Sequence, residues 1–188
     1  EIKPDYDLDL MSQDQNLYDL TSKIIVSLRL ILQEFEPDYV FVHGDTTTTM
    51  AASIAGFYSG SKVCHIEAGL RTNNKLSPFP EEINRQVTSR ICDYHFAPTE
   101  TSKNNLIREN ISKNSIFVTG NTVIDALLDS VQKVSKNPSD FIKDLSKKIN
   151  QRELILVTGH RRENHGLGFE NICEALKLIA LDNKDRLL

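Results

Sequence analysis

Leu17, Leu20, Ile24, Leu28, Ile31 and Phe35 fall on one helical stripe with a polar outer face, which predicts an amphipathic helix covering one side of a sheet. Ser12 with Gln15 forms a capping-box pattern ahead of it, and Pro37 ends it. The period then changes. Residues 39–42 are a short β-branched and aromatic run, Gly44 breaks it, and residues 46–58 carry small and apolar side chains at helical spacing. Residues 62–66 repeat the strand signal before Ala68 and Gly69. The segment is a βαβ unit, whose crossover makes its two strands parallel neighbours.

Further on, RTNNKLSPFP is a loop with two prolines, and Pro80 sits where the first turn of a helix begins. Residues 93–96 predict a third strand, followed by a helix capped by Thr99 and running to about Glu109. Residues 115–118 predict a fourth strand, and Gly120 turns the chain into a helix carrying Val123, Ile124, Leu127, Leu128 and Val131. The lysine-rich stretch around Pro138 reads as a connector between domains. Residues 153–158, ELILVT, open a new βα unit whose helix carries Phe169, Ile172, Leu176 and Ile179.

Composition narrows the function classes. The 188 residues carry a formal net charge of −4 and three cysteines, with a pI near 5.7. No broad basic surface of the kind that neutralises nucleic-acid phosphates is expected, so nucleic acid is not an expected partner. The longest apolar stretches are too short to cross a bilayer and the start has no signal-peptide pattern, giving the expectation of a cytoplasmic protein with no membrane partner. Cys64, Cys92 and Cys173 form no CxxC pair, and buried free thiols are expected.

The candidate chemistry lies at the strand ends. Asp45 directly follows the first strand of the βαβ unit and Glu67 the second, and in open α/β sheets ligands bind in the crevice beyond the carboxyl ends of the strands. Asp45 or Thr46 could simply cap the following helix; Glu67 has no such explanation, since Ala68 and Gly69 follow it rather than a helical stripe. GDTTTT lacks the Gly-Lys-Ser/Thr of a Walker loop, and no GxGxxG signals a nicotinamide site. Glu81 and Glu82 at a helix start complement the helix dipole on the plain reading. Arg85 could pair with Glu81 at i,i+4 or bind phosphate. His160, Arg161 and Arg162 follow the strand of the second unit, where a diphosphate could be gripped or where they are exposed loop charge. His43 and His65 have no partner at metal-ligand spacing and are expected to be structural core histidines. No metal and no redox cofactor is implied.

VHGDTTTT, HIEAGLRT, SPFPEEINRQ, HFAPTETSKNNLIREN, FVTGNTVIDAL and VTGHRREN, in this order, resemble the bacterial non-hydrolysing UDP-N-acetylglucosamine 2-epimerases over nearly the whole chain. The resemblance implies an α/β fold of the GT-B type, with two Rossmann-like domains and the nucleotide sugar between them. Residues 1–150 would be the N-terminal domain without its first strand, and residues 151–188 the opening βα unit of the C-terminal, UDP-binding domain. It also implies inversion at carbon 2 of UDP-N-acetylglucosamine, by elimination of UDP to 2-acetamidoglucal and re-addition, with no cofactor. By motif, Asp45, Glu67 and Glu81 match the family's catalytic carboxylates. His160 matches the histidine that serves the leaving diphosphate, and Arg85 a substrate-contacting arginine. The full-length protein is expected to be a homodimer. Which acid removes the proton from carbon 2 stays open.

Hydrolysing relatives tend to read GDR and HIEGGE where this chain reads GDT and HIEAGL, which favours the non-hydrolysing class. A GT-B glycosyltransferase and a nucleotide-sugar-binding module without turnover are the other readings. The family's GTRPE loop and its later SGG-type loop do not occur in this chain. The chain is therefore expected to be a fragment, with apolar sheet and helix faces uncovered, unstable and inactive alone.

Overall fold

The computed structural model describes residues 3–149, 153–158 and 166–183. Two compact units divide the chain, Glu1–Ile124 and Asp125–Leu188. The first holds a parallel sheet of four strands in the order β1-β2-β3-β4, with β1 Tyr39–His43, β2 Lys62–Ile66, β3 Tyr94–Ala97 and β4 Ile116–Val118. Helices α2 (Thr47–Tyr58), α3 (Glu81–Ile91) and α4 (Glu100–Arg108) connect successive strands. The expected α/β class with a parallel sheet is thus borne out, because each β-branched strand run is followed by enough helical sequence to make a crossover.

Helix α1, Leu17–Phe35, differs from its expected start and its expected partner. Asn16, not a Ser12–Gln15 box, caps it: the Asn16 side chain accepts a 2.9 Å hydrogen bond from the Asp19 N–H. Its buried residues are Ile24 and Leu32, and it packs on α2 rather than across the sheet. Glu36 closes the helix in the left-handed region before Pro37.

Alternation along the strands separates two sheet faces. Val42 and Val63 pack with Cys92 and the partly buried Val40, Ala52 and Ile91 on one. Ala97 and Ile116 pack with Ala68 and Leu106. Small residues let α2 approach: a Cβ on Gly56 would lie 3.2 Å from both Val40 and Val63 side chains. The other face carries Tyr39, Phe41, Tyr94, Phe96 and Phe117, whose rings meet across strands, the Phe96–Phe117 centroids being 5.7 Å apart. Tyr39, Phe41 and Phe117 stay exposed. An uncovered apolar sheet face is the expected outcome.

α5 (Thr122–Lys136) crosses the boundary between the units and has no buried residue. In the second unit the stretch taken as a connector is instead helical, α6 running over Asp140–Ile149. Pro138 stands before its first turn, the Ser139 hydroxyl accepts from the Ile142 N–H at 3.4 Å, and the lysines occupy its solvent face. Of residues 153–158, Leu154 alone forms a bridge. α7 spans Leu167–Asp182, close to the helix expected there. Cys64 and Cys92 are buried free thiols as expected, whereas Cys173 on α7 is exposed, that helix having no buried residue.

Candidate active site

The carboxyl ends of β1 and β2 are held in register, with His43 opposite Ile66 and the Gly44 N–H donating to the Ile66 carbonyl at 3.0 Å. Asp45 and Glu67 therefore leave adjacent strands at the same edge of the sheet. Thr46 caps α2 by accepting from the Thr49 N–H at 3.3 Å, so Asp45 is not needed as a cap. Its carboxylate instead meets Arg85, whose Nη2 and Nε donate to Asp45 Oδ2 at 2.7 and 3.2 Å. Asn84 Nδ2 donates to the Asp45 carbonyl at 2.9 Å. Two consecutive residues of α3 thus fasten its first turns over the turn that bears Asp45.

Glu67 adopts φ +70°, the left-handed region that a residue with a Cβ seldom occupies. Such strain persists where the surroundings fix it, and it is enriched at functional sites. Here the backbone turns sharply after β2 and the carboxylate comes to lie over Gly44, where an added Cβ would be 3.7 Å from Glu67 Oε2. His43 Nε2 stands 3.5 Å from the same oxygen. The expectation that His43 is a core histidine is therefore corrected. Its side chain is 59% exposed, because alternation places it with Tyr39 and Phe41 on the open face of the sheet.

His65 does behave as a core histidine. It is fully buried, its Nε2–H donates to the Gly44 carbonyl at 2.7 Å, and burial pulls its pKa down to about 4 against the favourable bond to Gly44. His95 is likewise buried, donates from Nε2 to the Ser89 carbonyl at 3.0 Å and is held below the ordinary histidine range by burial. Both rings are neutral supports beneath the site.

The adjacent acids of α3 separate into two kinds. Glu82 is wholly buried and saturated: Oε2 accepts from the Thr72 N–H at 3.0 Å and Arg85 Nη1 at 3.1 Å, and Oε1 from the Asn73 N–H at 3.0 Å and Gln86 Nε2 at 3.3 Å. Burial alone would raise its pKa, but these donors outweigh it and hold the carboxyl below the usual range. Glu81, one residue earlier, points elsewhere. Its Oε2 is buried and finds no hydrogen-bond partner among the described residues, an arrangement that costs free energy unless a ligand supplies the partner.

Arg85 pairs with Glu82 and Asp45, so the i,i+4 alternative with Glu81 is not the one adopted. Arg71, quoted in the sequence only as part of HIEAGLRT, has a nearly buried side chain and grips Glu109 through Nε and Nη2 at 2.7 and 2.8 Å, with Nη2 also 2.9 Å from Ser89 Oγ. It ties the loop after Glu67 to α3 and α4. His160, Arg161 and Arg162 lie outside the described residues. A cavity of about 770 Å³ lies at the opposite, amino-terminal edge of β1 and β2, lined by residues such as Glu36, Tyr39 and Lys62. Asp45, Glu67 and Arg85 lie instead at the carboxyl edge, where ligands of such sheets bind. Among the described residues no His, Cys, Asp or Glu group is arranged to hold a metal, and no helix is long and apolar enough to cross a membrane.

A parallel α/β unit with carboxylates at the carboxyl ends of adjacent strands is a sheet of the class whose ligands bind at that edge. The chain belongs to the UDP-N-acetylglucosamine 2-epimerase family, whose model matches residues 1–187. It is 51% identical to the UDP-N-acetylglucosamine 2-epimerase of Campylobacter jejuni, over 98% of this chain and 50% of that one. It is 52% identical to that of Escherichia coli K12, again over 98% and 50%. The structure of the Neisseria meningitidis enzyme bound to UDP-GlcNAc matches with a TM-score of 0.90 and 49% identity, over 98% of this chain and 50% of that one. The Methanocaldococcus jannaschii enzyme in complex with UDP-GlcNAc and UDP matches with a TM-score of 0.83 and 34% identity, over 98% and 49%. The chain spans about half the length of the curated relatives it matches, 50% of each of the two named here.

Proposed function

We propose that the full-length protein carrying this chain is a non-hydrolysing UDP-N-acetylglucosamine 2-epimerase, converting its substrate to UDP-N-acetylmannosamine by elimination and re-addition of UDP. The observation that carries the reading is the placement of Asp45 and Glu67 at one carboxyl edge of adjacent parallel strands, beside the first turn of α3 with Glu81. The names of the relatives support the activity, and GDT with HIEAGL supports the non-hydrolysing form.

Carbon 2 bears a proton that no adjacent carbonyl acidifies. Its removal, with departure of UDP from carbon 1, gives the glucal, and proton return to the other face of carbon 2 inverts it. Carboxylates on more than one side of the sugar suit that chemistry, since one takes the proton and another gives it. Asp45, Glu67 and Glu81 are the groups for these steps. Arg85 contacts the substrate from its place beside Asp45, and His160 serves the leaving diphosphate. Residues 1–150 belong in this reading to an N-terminal Rossmann-like domain and 151–188 open the UDP-binding one. The full-length protein acts as a cytoplasmic homodimer, without cofactor, supplying precursors for polysaccharide synthesis.

The test is turnover of UDP-N-acetylglucosamine by the full-length protein in deuterated water. The expected product carries deuterium at carbon 2 of UDP-N-acetylmannosamine. Product without the label would exclude elimination, release of free N-acetylmannosamine would mark a hydrolysing enzyme, and absence of either would overturn the reading.

A further inference from the structure

The turn between β1 and α2 is held more firmly than a strand-to-helix turn requires. Its three successive carbonyls each accept from a buried side chain of a different element: His43 from Thr49 Oγ1 of α2 at 2.6 Å, Gly44 from His65 Nε2 of β2 at 2.7 Å, and Asp45 from Asn84 Nδ2 of α3 at 2.9 Å. Of the three donors the histidine is the least expected. Its ring is fully buried and burial holds its pKa at about 4, so near neutral pH it carries one proton, on the Nε2 that faces Gly44. Nδ1 is then a buried acceptor with no partner among the described residues, which lowers stability. A side chain with a task in the core alone could be apolar here.

The link that this ring makes joins the two candidate acids. His65 stands two residues before Glu67 on the same strand end, and Gly44 directly precedes Asp45. The Gly44 N–H also donates to the Ile66 carbonyl at 3.0 Å, so Gly44 is tied to β2 through both of its polar groups. Glu67, at φ +70°, brings its carboxylate over the same glycine, with Oε2 3.7 Å from where a Cβ would stand. All of these groups belong to the first unit.

We propose that His65 is a positioning residue for the epimerase reaction, fixing the separation of Asp45 and Glu67 through the Gly44 carbonyl, with Thr49 and Asn84 closing the same clasp. The inference rests on the epimerase reading of Asp45 and Glu67. His65 touches no substrate and moves no proton; it sets where the two carboxylates meet the sugar. Misplacing a reacting group by about 1 Å can cost about 100-fold in rate, so the ring acts on turnover more than on stability.

The experiment uses the full-length protein with His65→Leu, His65→Gln and His95→Leu. Leucine removes the donor and the unpartnered Nδ1 together, so one unpaired acceptor replaces another and the urea midpoint should stay near that of the wild type. The expected loss of kcat is about 100-fold, with KM changed less than about threefold because Arg85 keeps its bond to Glu82. Glutamine carries an NH₂ that can donate to the Gly44 carbonyl and should restore most of kcat. His95 controls for the loss of a buried ring as such: it is the register partner of His65, likewise buried with Nδ1 unpartnered, but it donates to the Ser89 carbonyl in the last turn of α3. Its leucine variant should lose far less kcat. Amide hydrogen exchange of residues 43–49, followed by mass spectrometry, does not depend on turnover and should quicken in His65→Leu alone. Wild-type kcat or unchanged exchange in His65→Leu overturns the proposal, as does an equal loss of kcat in His65→Gln or His95→Leu. If His65→Leu does not fold, Thr49→Val, which frees the His43 carbonyl at nearly unchanged volume, carries the same two readouts, and wild-type behaviour there overturns the clasp. A turn that loosens in His65→Leu, in a protein whose wild type turns over no UDP-N-acetylglucosamine, would instead sink the epimerase reading.

Discussion

Glu81 and Glu82 are neighbours in sequence and both acidic, yet their surroundings predict opposite responses to the same substitution. In Glu82→Gln one carboxylate oxygen becomes an NH₂ group. The least costly placement puts it at Oε1, where Gln86 can rotate to present its own oxygen, leaving the Asn73 N–H facing a donor. An unsatisfied buried donor costs about 1 to 3 kcal/mol, and the bond from Arg85 loses its anionic acceptor at about 1 kcal/mol. The expected destabilisation is about 2 to 4 kcal/mol, a large part of a total of about 5 to 15. Glu81→Gln removes a charge whose Oε2 has no partner among the described residues, so its stability should change by less than about 1 kcal/mol while turnover falls. Urea unfolding of the full-length variants by circular dichroism, with epimerisation assayed on the same preparations, reads both effects. If Glu82→Gln unfolds at the wild-type midpoint, or Glu81→Gln proves the less stable of the two, the separation of a structural from a reacting acid is refuted.

Glu67→Gln keeps size but cannot exchange a proton, and should lose about 2.7 to 5.4 kcal/mol of transition-state stabilisation with KM little altered; near-normal kcat would demote Glu67 to a structural residue. His65, pulled by burial to about 4 from an ordinary 6.5, binds its proton more weakly folded than unfolded. The unfolded state therefore takes up protons first as pH falls from 6.5 to 4, and up to about 3 kcal/mol of stability is lost across that window. His95 shifts the same way, and unfolding midpoints that stay flat between those pH values would contradict both. Gly69→Ala places a Cβ against the Ser102 carbonyl at φ +88°, which should destabilise by about 2 to 5 kcal/mol from the left-handed backbone and overpacking together. A midpoint within the error of wild type would mean that α4 does not press on the loop after Glu67.

The strands and crossover helices were legible because period 2 and period 3.6 alternate cleanly around Gly44 and Gly69. Asp45 and Glu67 could be placed at one edge from that alone. Other features needed the tertiary structure. Spacing cannot tell Glu81 from Glu82, since one helical step of rotation decides which carboxylate is sealed under the Thr72–Asn73 backbone and which is not. The φ of Glu67 has no signature in residue type, because glycine would be the expected occupant. His43 could have been read: its register with Tyr39 and Phe41 puts it on the open face, and treating it together with His65 ignored the alternation. α6 was hidden for a different reason. Pro138 and the lysines look like a linker, but Phe141, Ile142, Leu145 and Ile149 keep helical spacing and Pro138 stands ahead of the first turn rather than within it.

Four carboxylates near one sheet edge could each be ordinary surface or capping acids, and Glu82 shows what an acid with a purely structural task looks like here. It uses both oxygens on two backbone N–H groups and two side chains, and it is closed to solvent. The other three do not resemble it. Asp45 is opposed by a guanidinium through one oxygen, Oδ2, although Thr46 makes it superfluous as a cap. Glu67 is held in a strained backbone with His43 Nε2 3.5 Å from its Oε2. Glu81 keeps a buried oxygen without a partner. Folding alone gains nothing from such arrangements, and an unpartnered buried oxygen or a left-handed glutamate each lowers stability by about 1 to 3 kcal/mol. In the proposed epimerase reading, the substrate completes these missing contacts, which is why such a sheet edge retains them next to an acid of the same helix that is fully satisfied.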